Sequence, residues 1–254
     1  MPGFDTLPQE KKEASFFDRR GTRDRKLVAP LWHTIVLIVY LLATLGWQAH
    51  LLHKMSANRL LFSQRLSMYL FMIAFEWLLV GYVWFFGLRP THTPIREIVG
   101  GRWERFSDAF VDIGIAFLFW IAVAIVLIVC RVALGANPAG KRALGILLPR
   151  TPIECLLWVL VSISAGICEE FVFRGYLQRQ FFALTGNDAA AVALQAIFFG
   201  AGHAYQGYRG VITITLYGAL FGVLALFRGS LRPGMIQHFL EDSSLILLRY
   251  APKG

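Results

Sequence analysis

The sequence predicts an all-α protein, a polytopic bundle of about seven to eight transmembrane helices. The first observation is composition: 56% of the 254 residues are hydrophobic and only 16% are charged. The mean hydropathy is +0.55, whereas soluble domains are on average only about half apolar. The second observation is that the apolar residues form runs close to the roughly 20 residues that a helix needs to cross a bilayer. We therefore expect a multi-pass protein of the cell membrane.

The apolar runs give the order of the helices. We count seven of them, and no stretch between them is long enough for a soluble domain. Two longer gaps, residues 89–108 and 135–150, contain Pro, Gly and basic residues, which are typical of loops. The predicted spans are residues 31–51, 66–87, 109–134, 152–168 running on into a further helix, 189–203, 211–227 and 234–247.

Residues 1–28 are expected to form a basic cytoplasmic tail, and residues 29–150 the N-terminal transmembrane helices. The net charge of the chain is +9, and seven of its basic residues lie in this tail. Such a cluster also suits nucleic acid, but beside a span it more often marks a cytoplasmic flank that contacts anionic lipid. We therefore expect the bilayer as a partner, no nucleic acid, and a first span that stays as an anchor, because the tail is too polar for a signal peptide. The basic residues of the tail are Lys11, Lys12, Arg19, Arg20, Arg23, Arg25 and Lys26.

Two adjacent acids, Glu169 and Glu170, follow the apolar run that begins near residue 152. Ionisable groups at membrane depth are costly, so a functional site is the default interpretation. Glu170 and Arg174 are four residues apart and share a helical face, which suits an ion pair. Glu169 is rotated by about 100° from Glu170. We therefore expect one acid to be fixed structurally and the other to face water as an acid or base.

Two later segments carry histidines at helical spacing. Phe199 and His203 are four residues apart, with small residues between them that allow helices to approach closely. His238 and Asp242 also share a face. Three helices thus offer carboxylates and imidazoles to a common centre, and the sequence predicts one site.

Residue counting supports part of this convergence. If residues 185–188 form a helix-ending turn, Glu169 lies 17 residues before Gly186 and His203 lies 17 residues after it. An antiparallel hairpin would bring both to a similar depth. The same counting does not work for His238, which follows the turn at residues 228–233 by only a few positions and should lie nearer the opposite side.

Each element also has a structural interpretation. A buried pair such as Glu170 and Arg174 can serve stability alone, and a lone histidine in a span is more often a helix-to-helix hydrogen bond than a catalyst. Glu76, alone in the second span, can face a cavity or bind a polar partner, and the sequence leaves it unassigned. The combination of three motifs in consecutive segments favours one functional site.

The ordered set Glu-Glu-x-x-x-Arg, Phe-x-x-x-His and His-x-x-x-Asp resembles the CPBP family, which comprises type II CAAX prenyl endopeptidases, related bacterial intramembrane proteases and bacteriocin-immunity proteins. The resemblance covers residues 151–254, where Phe173-Arg174-Gly175 and the turn before His238 also fit. It implies that Glu169 is the water-activating glutamate, with Glu170 beside it. The remaining catalytic positions implied are His203, His238 and Asp242, with Arg174 and Phe199 as structural support. The eukaryotic enzymes commonly have Asn where this chain has Asp242, and an ionised aspartate cannot donate to an oxyanion.

The function that the resemblance implies is intramembrane endoproteolysis of a protein or peptide substrate, which in the eukaryotic enzymes is prenylated. Two hydrolytic forms remain open. In one, a carboxylate activates water and a histidine stabilises the oxyanion without a metal. In the other, Glu169, His203 and His238 hold a divalent metal such as zinc, although no compact HExxH motif is present. The alternative of another class is a noncatalytic partner-binding or immunity protein, and a proton-coupled carrier comes third because no inverted repeat is evident.

Overall fold

The computed structural model describes residues 25–54 and 61–249, and within them every regular element is a helix. The predicted all-α class is confirmed. The prediction for the basic tail concerns mostly residues 1–24, which lie outside the described residues. The helices are α1 Leu31–Lys54, α2 Phe62–Tyr82 with a π-helical end Val83–Leu88, α3 Ile95–Val99, α4 Phe106–Leu134, α5 Pro138–Leu147, α6 Pro152–Glu169, a π-helical segment Glu170–Leu177, α7 Gln178–Thr185, α8 Asp188–Gly202, a 3-10 turn Ala204–Gln206, α9 Gly207–Arg228, α10 Arg232–Ser244 and a 3-10 turn Leu245–Arg249.

A helix lies at each of the seven predicted spans, but fewer of them meet the criteria for crossing a bilayer. In the described part of the chain, four helical stretches are long and apolar enough: Phe62–Leu88, Phe106–Leu134, Pro152–Thr185 and Ala204–Arg228. Leu31–Leu45 and Asp188–Gly202 are shorter apolar helices. The prediction of a span at residues 234–247 was wrong on these criteria, because α10 has 13 residues and begins and ends with polar ones.

The two predicted loops contain helices. α3 lies in the first, and α5 occupies most of the second. Asn137 caps α5 by accepting a hydrogen bond from the Gly140 amide, and Pro138 takes the first helical turn. Proline is tolerated there because its missing N–H would have no helical partner. The Pro and Gly residues that indicated a loop therefore start a helix.

The hairpin that was expected around Gly186 is present. α7 ends at Gly186, whose φ of +65° is left-handed, and Asn187 caps α8 by accepting from the Ala190 amide. Glycine at this position avoids the strain that a side chain would suffer at positive φ. α7 and α8 then pack side by side.

Burial places α6 and α7 at the centre of the bundle. Sixty-one per cent of the apolar window in Pro152–Thr185 is buried, against 17% in the window of α4. α2 and α10 pack against α6, and α9 packs against α8. Large apolar side chains on α4 point outward instead, for example Phe110, Leu118 and Val132. α4 therefore presents the lipid-facing perimeter, and ionisable groups on α6 point into the bundle.

Buried polar contacts join the N-terminal helices to the α6–α10 region. Arg65 Nε lies 3.5 Å from Glu154 Oε1, and both side chains are almost fully buried. The Val28 amide donates to Gln180 Oε1 over 2.9 Å. Arg179 pairs with Glu97 of α3. These contacts fix the N-terminal helices against the part of the chain that carries the three motifs.

Candidate functional site

The two adjacent acids lie where regular α-helix gives way to a π-helical segment. Glu169 ends α6 and Glu170 begins the segment Glu170–Leu177, all of whose residues are buried. π-helical turns inside helices occur frequently at functional sites. The Glu169 side chain is 23% exposed and Glu170 is 1% exposed, so the two acids occupy different environments, as the sequence predicted.

Glu170 is fixed by two cationic partners. Its Oε1 lies 2.9 Å from Arg174 Nη1 and 3.1 Å from His238 Nδ1, which donates to it. The Arg174 guanidinium lies over the rings of Phe199 and Phe221, at 4.1 and 5.1 Å from their centroids. A cation over an aromatic face is favourable when it is shielded from water. Through its contact with Nδ1, Glu170 holds the imidazole of His238.

His238 stands among three carboxylates. Its Nε2 lies 3.7 Å from Glu169 Oε2 and 3.8 Å from Asp242 Oδ2, while Nδ1 contacts Glu170. Negative charge on three sides favours the protonated imidazolium. The Trp158 indole donates to the Asp242 carbonyl over 2.8 Å and ties this end of α10 to α6.

The expected displacement of His238 to the opposite side was wrong, because the turn before α10 lies inside the bundle. The Leu231 amide donates to the Val99 carbonyl over 3.0 Å, which anchors the turn to α3. At Gly166 of α6, an added Cβ would lie 2.8 Å from the Met235 carbonyl oxygen, so α6 and α10 approach closely there. This approach brings His238 beside the two glutamates.

His203 lies just beyond the end of α8. Its Nδ1–H donates to the Phe199 carbonyl over 2.9 Å, which leaves Nε2 for other contacts. The ring of Phe199 stands between the two histidines, with centroids 5.0 Å from His203 and 6.3 Å from His238. Phe199 is 1% exposed and packs against Arg174 and both histidines.

One cavity of about 860 Å³ is lined by Glu169, His203, His238 and Asp242. A second cavity, of about 290 Å³ and walled mainly by apolar side chains of α1 and α2, also contacts Glu169, Phe199 and His203. We call the first the polar cavity and the second the apolar cavity. The site therefore lies where an apolar volume and a polar volume meet.

Sequence reasoning missed several polar side chains of the polar cavity. Tyr205, Tyr217 and Glu241 line it together with the predicted residues. Tyr217 is 5% exposed and its ring lies 5.9 Å from that of His238. Two signals in the sequence could have indicated the tyrosines. Tyr217 lies in the middle of an apolar run, and Tyr205 lies two residues after His203. Glu76, which the sequence left unassigned, lines both cavities.

The predicted metal set does not come together as a ligand set. Among residues 25–54 and 61–249, no three His, Cys, Asp or Glu side chains are grouped so that they could hold a metal ion. Glu169 and His238 are 3.7 Å apart at their nearest atoms, and the Nδ1 atoms of both histidines are engaged by protein oxygens. This engagement of Nδ1 leaves Nε2 of each histidine as the atom that could contact water, substrate or a metal ion.

Comparison with known families agrees with the motifs. Residues 151–244 match the family model described as Type II CAAX prenyl endopeptidase Rce1-like. The matched segment runs from the start of α6 to the end of α10 and includes Glu169, His203 and His238. The resemblance is confirmed over this segment, which is similar to a protease family, and the four long apolar helices indicate a multi-pass membrane protein. No curated protein and no solved structure matches the chain.

Proposed function

We propose that the protein is an intramembrane endopeptidase of the CAAX prenyl protease type, in which Glu169 activates the water that attacks the peptide bond. The observation that carries the proposal is the convergence of Glu169, His203, His238 and Asp242 on one cavity inside the bundle. All four lie in the segment that matches the endopeptidase family.

Glu169 is the acid that suits the role of general base. Its side chain is the more exposed of the adjacent pair, and Glu170 is already held by Arg174 and His238. A general base must reach the proton that it removes, directly or through one water. The Nε2 of His203 is free to accept a hydrogen bond from the same water, because its Nδ1–H donates to Phe199.

His238 is the group that suits the developing oxyanion. Its imidazolium form carries an Nε2–H beside Glu169 and Asp242, and Glu170 holds the ring in place from the other nitrogen. A fixed charged donor in a site shielded from water stabilises a tetrahedral oxyanion strongly. Asp242, as a carboxylate, supports the charge of His238 rather than donating to the oxyanion.

The apolar cavity supports a lipidated substrate. Its walls include Met68, Phe71, Met72, Phe75 and Leu79 of α2, and burial of apolar surface drives binding at about 25 cal/mol per Å². It meets the polar cavity at Glu169. A lipid attached near the cleavage point would lie in the apolar cavity while the peptide occupies the polar cavity. A zinc-dependent form of the reaction is the alternative mechanism, and the chelator experiment in the Discussion separates the two.

The direct test is cleavage of a fluorogenic peptide that carries a farnesylated cysteine followed by three C-terminal residues, with purified protein in nanodiscs. Wild type should release the C-terminal tripeptide, and Glu169→Gln should lower kcat by at least about a hundredfold, because it removes the base and keeps the shape. Thermal unfolding of the variant should stay close to that of wild type.

The matched control is Glu154→Gln, which removes a buried carboxylate that pairs with Arg65 outside the site. Its main effect should be a lower unfolding temperature, with only a smaller effect on the cleavage rate. Intact peptide after prolonged incubation with folded wild type would favour the noncatalytic, partner-binding alternative.

A further inference from the structure

Glu76 is a buried acid of the second helix that the matched segment does not include. It lies in the apolar run of α2 and is only 8% exposed. Its Oε2 has no hydrogen-bond partner among the described residues. It lines the polar cavity and the apolar cavity. A buried oxygen without a partner at the junction of two cavities calls for an explanation other than packing.

The position of Glu76 is set by contacts between α2 and α6. The neighbouring Trp77 donates from its indole to Ser164 Oγ over 3.0 Å, which fixes this turn of α2 against α6. Glu169 and Asp242 lie near enough for their charges to act on Glu76. Glu76 therefore lines the same two cavities as the proposed base.

The surroundings of Glu76 favour a neutral carboxylic acid. In the described part of the chain, no Arg, Lys or His forms an ion pair with it. A buried carboxylate without a cation is far more costly than its protonated form. Glu169 differs because His238 lies 3.7 Å away as a counter-charge. One cavity therefore contains an acid with a cationic neighbour, which favours the ionised form, and an acid without one, for which the neutral form is favoured.

Peptide hydrolysis requires an ionised acid, which acts as the base, and a neutral acid, which acts as the proton donor. A base must take a proton from water, and the leaving nitrogen must gain a proton, since an amide anion is a very poor leaving group. Glu170 is engaged by Arg174 and His238, and Asp242 lies beside His238. Paired acids in environments that push their protonation apart are a recurring arrangement for acid and base roles.

We propose that Glu76 is a catalytic residue, the general acid that protonates the leaving amine. This inference rests on the proposed function and extends it to a helix that lies outside the matched family segment. It explains why an acid is placed in an apolar run without a cationic partner.

Every proton that moves during the reaction is accounted for within the cavity. Glu169 takes a proton from water as the water oxygen bonds to the carbonyl carbon, and the carbonyl π electrons move to oxygen beside His238. When the tetrahedral intermediate collapses, the C–N bond breaks, its electron pair stays on nitrogen, and Glu76 gives that nitrogen its proton. The protonated Glu169 then returns one proton to the Glu76 carboxylate through water in the polar cavity. One peptide bond and one water yield one acid and one amine.

The test compares two substrates of the same sequence. One carries the scissile amide, and the other carries an ester with a phenol leaving group, which departs without prior protonation. Glu76→Gln should slow amide cleavage by about a hundredfold or more and leave ester cleavage within about twofold of wild type. Glu154→Gln, the buried-acid control, should leave the ratio of the two rates unchanged. Equal losses on both substrates, or no loss on the amide, would overturn the inference and leave the proposed function standing.

A second readout does not depend on cleavage. The infrared spectrum of the resting protein should contain the carbonyl stretch of a neutral carboxylic acid, and Glu76→Gln should remove that band. If Glu76→Gln does not fold, Glu76→Met is the second variant, because methionine has a similar volume and no polar group that needs a partner. Absence of the band would overturn the inference. A wild type that cleaves neither substrate would overturn the proposed function, and the proton-donor role with it, even where the band is present.

Discussion

At the residue scale, acids of the same chemistry have different surroundings and different roles in the site. Glu169 and Glu170 are adjacent, yet one faces the polar cavity and the other is enclosed by Arg174 and His238. The difference arises from their partners, because contacts with Arg174 and His238 hold the Glu170 carboxylate in place. Glu169 is the more accessible acid of the two and lines the polar cavity.

Asp242 is the residue where the two hydrolytic mechanisms predict different results. Without a metal, Asp242→Asn should keep most of the activity, because the amide can donate to the oxyanion and His238 keeps Glu169 and Glu170 as counter-charges. With a bound metal, loss of an anion near the ligands should weaken metal affinity by about 10 to 100-fold. The measurement is kcat/KM of wild type and variant, with and without chelator and added zinc. Chelator-sensitive activity that zinc restores, together with a weak variant, would overturn the metal-free form.

At the element scale, the crossing of α6 and α10 decides whether the motifs meet. An added Cβ at Gly166 would lie 2.8 Å from the Met235 carbonyl oxygen and 3.1 Å from the Phe239 amide nitrogen. Both atoms belong to the backbone of α10, which cannot turn aside as a flexible side chain can. The glycine therefore sets the distance between Glu169 and His238.

Gly166→Ala should separate α6 from α10 and lower kcat/KM by at least about tenfold, because a misplacement of about 1 Å can cost a hundredfold in rate. The matched control is Gly114→Ala in α4, where an added Cβ meets nothing within 4 Å. Activity and unfolding temperature of the two variants give the comparison. Equal behaviour of both would show that the α6–α10 crossing tolerates expansion and does not set the site geometry.

The helix boundaries also show what local pattern can predict. The hairpin at Gly186 was predicted because glycine and asparagine end and begin helices by local hydrogen bonds. The π-helical segment at Glu170–Leu177 was not predicted, since its extra residue per turn leaves no mark in composition. The sequence predicts a loop where α5 lies, because the Pro138 and Gly140 signals suit either a turn or a helix start.

At the scale of the whole molecule, the matched segment depends on the helices before it. α2 supplies one wall of the apolar cavity, and Glu154 of α6 has its partner Arg65 on α2. A buried carboxylate left without that partner would be strongly destabilising, by about 3 to 5 kcal/mol. Residues 151–254 therefore lack both a wall and a counter-charge when α2 is absent.

We expect residues 151–254 expressed alone to be inactive on the farnesylated peptide, and co-expression with residues 1–150 as a second chain to restore cleavage. Copurification and activity in detergent are the measurements. Arg65→Ala in the N-terminal chain should abolish the restoration, whereas Arg102→Ala, at an exposed position, should not. Full activity of the C-terminal chain alone would show that α2 does not contribute to the site.

By itself the sequence determined the helical class, the position of each long helix and the three motifs, because hydrophobic runs and i, i+4 spacing are local properties of the chain. The tertiary structure decided the rest. His238 reaches Glu170 through a glycine contact between α6 and α10 and through a turn anchored at Val99. Glu76 reaches the cavity because α2 packs on α6. Contacts between residues so far apart in the chain depend on backbone approach and on partners in other helices, which no local pattern records.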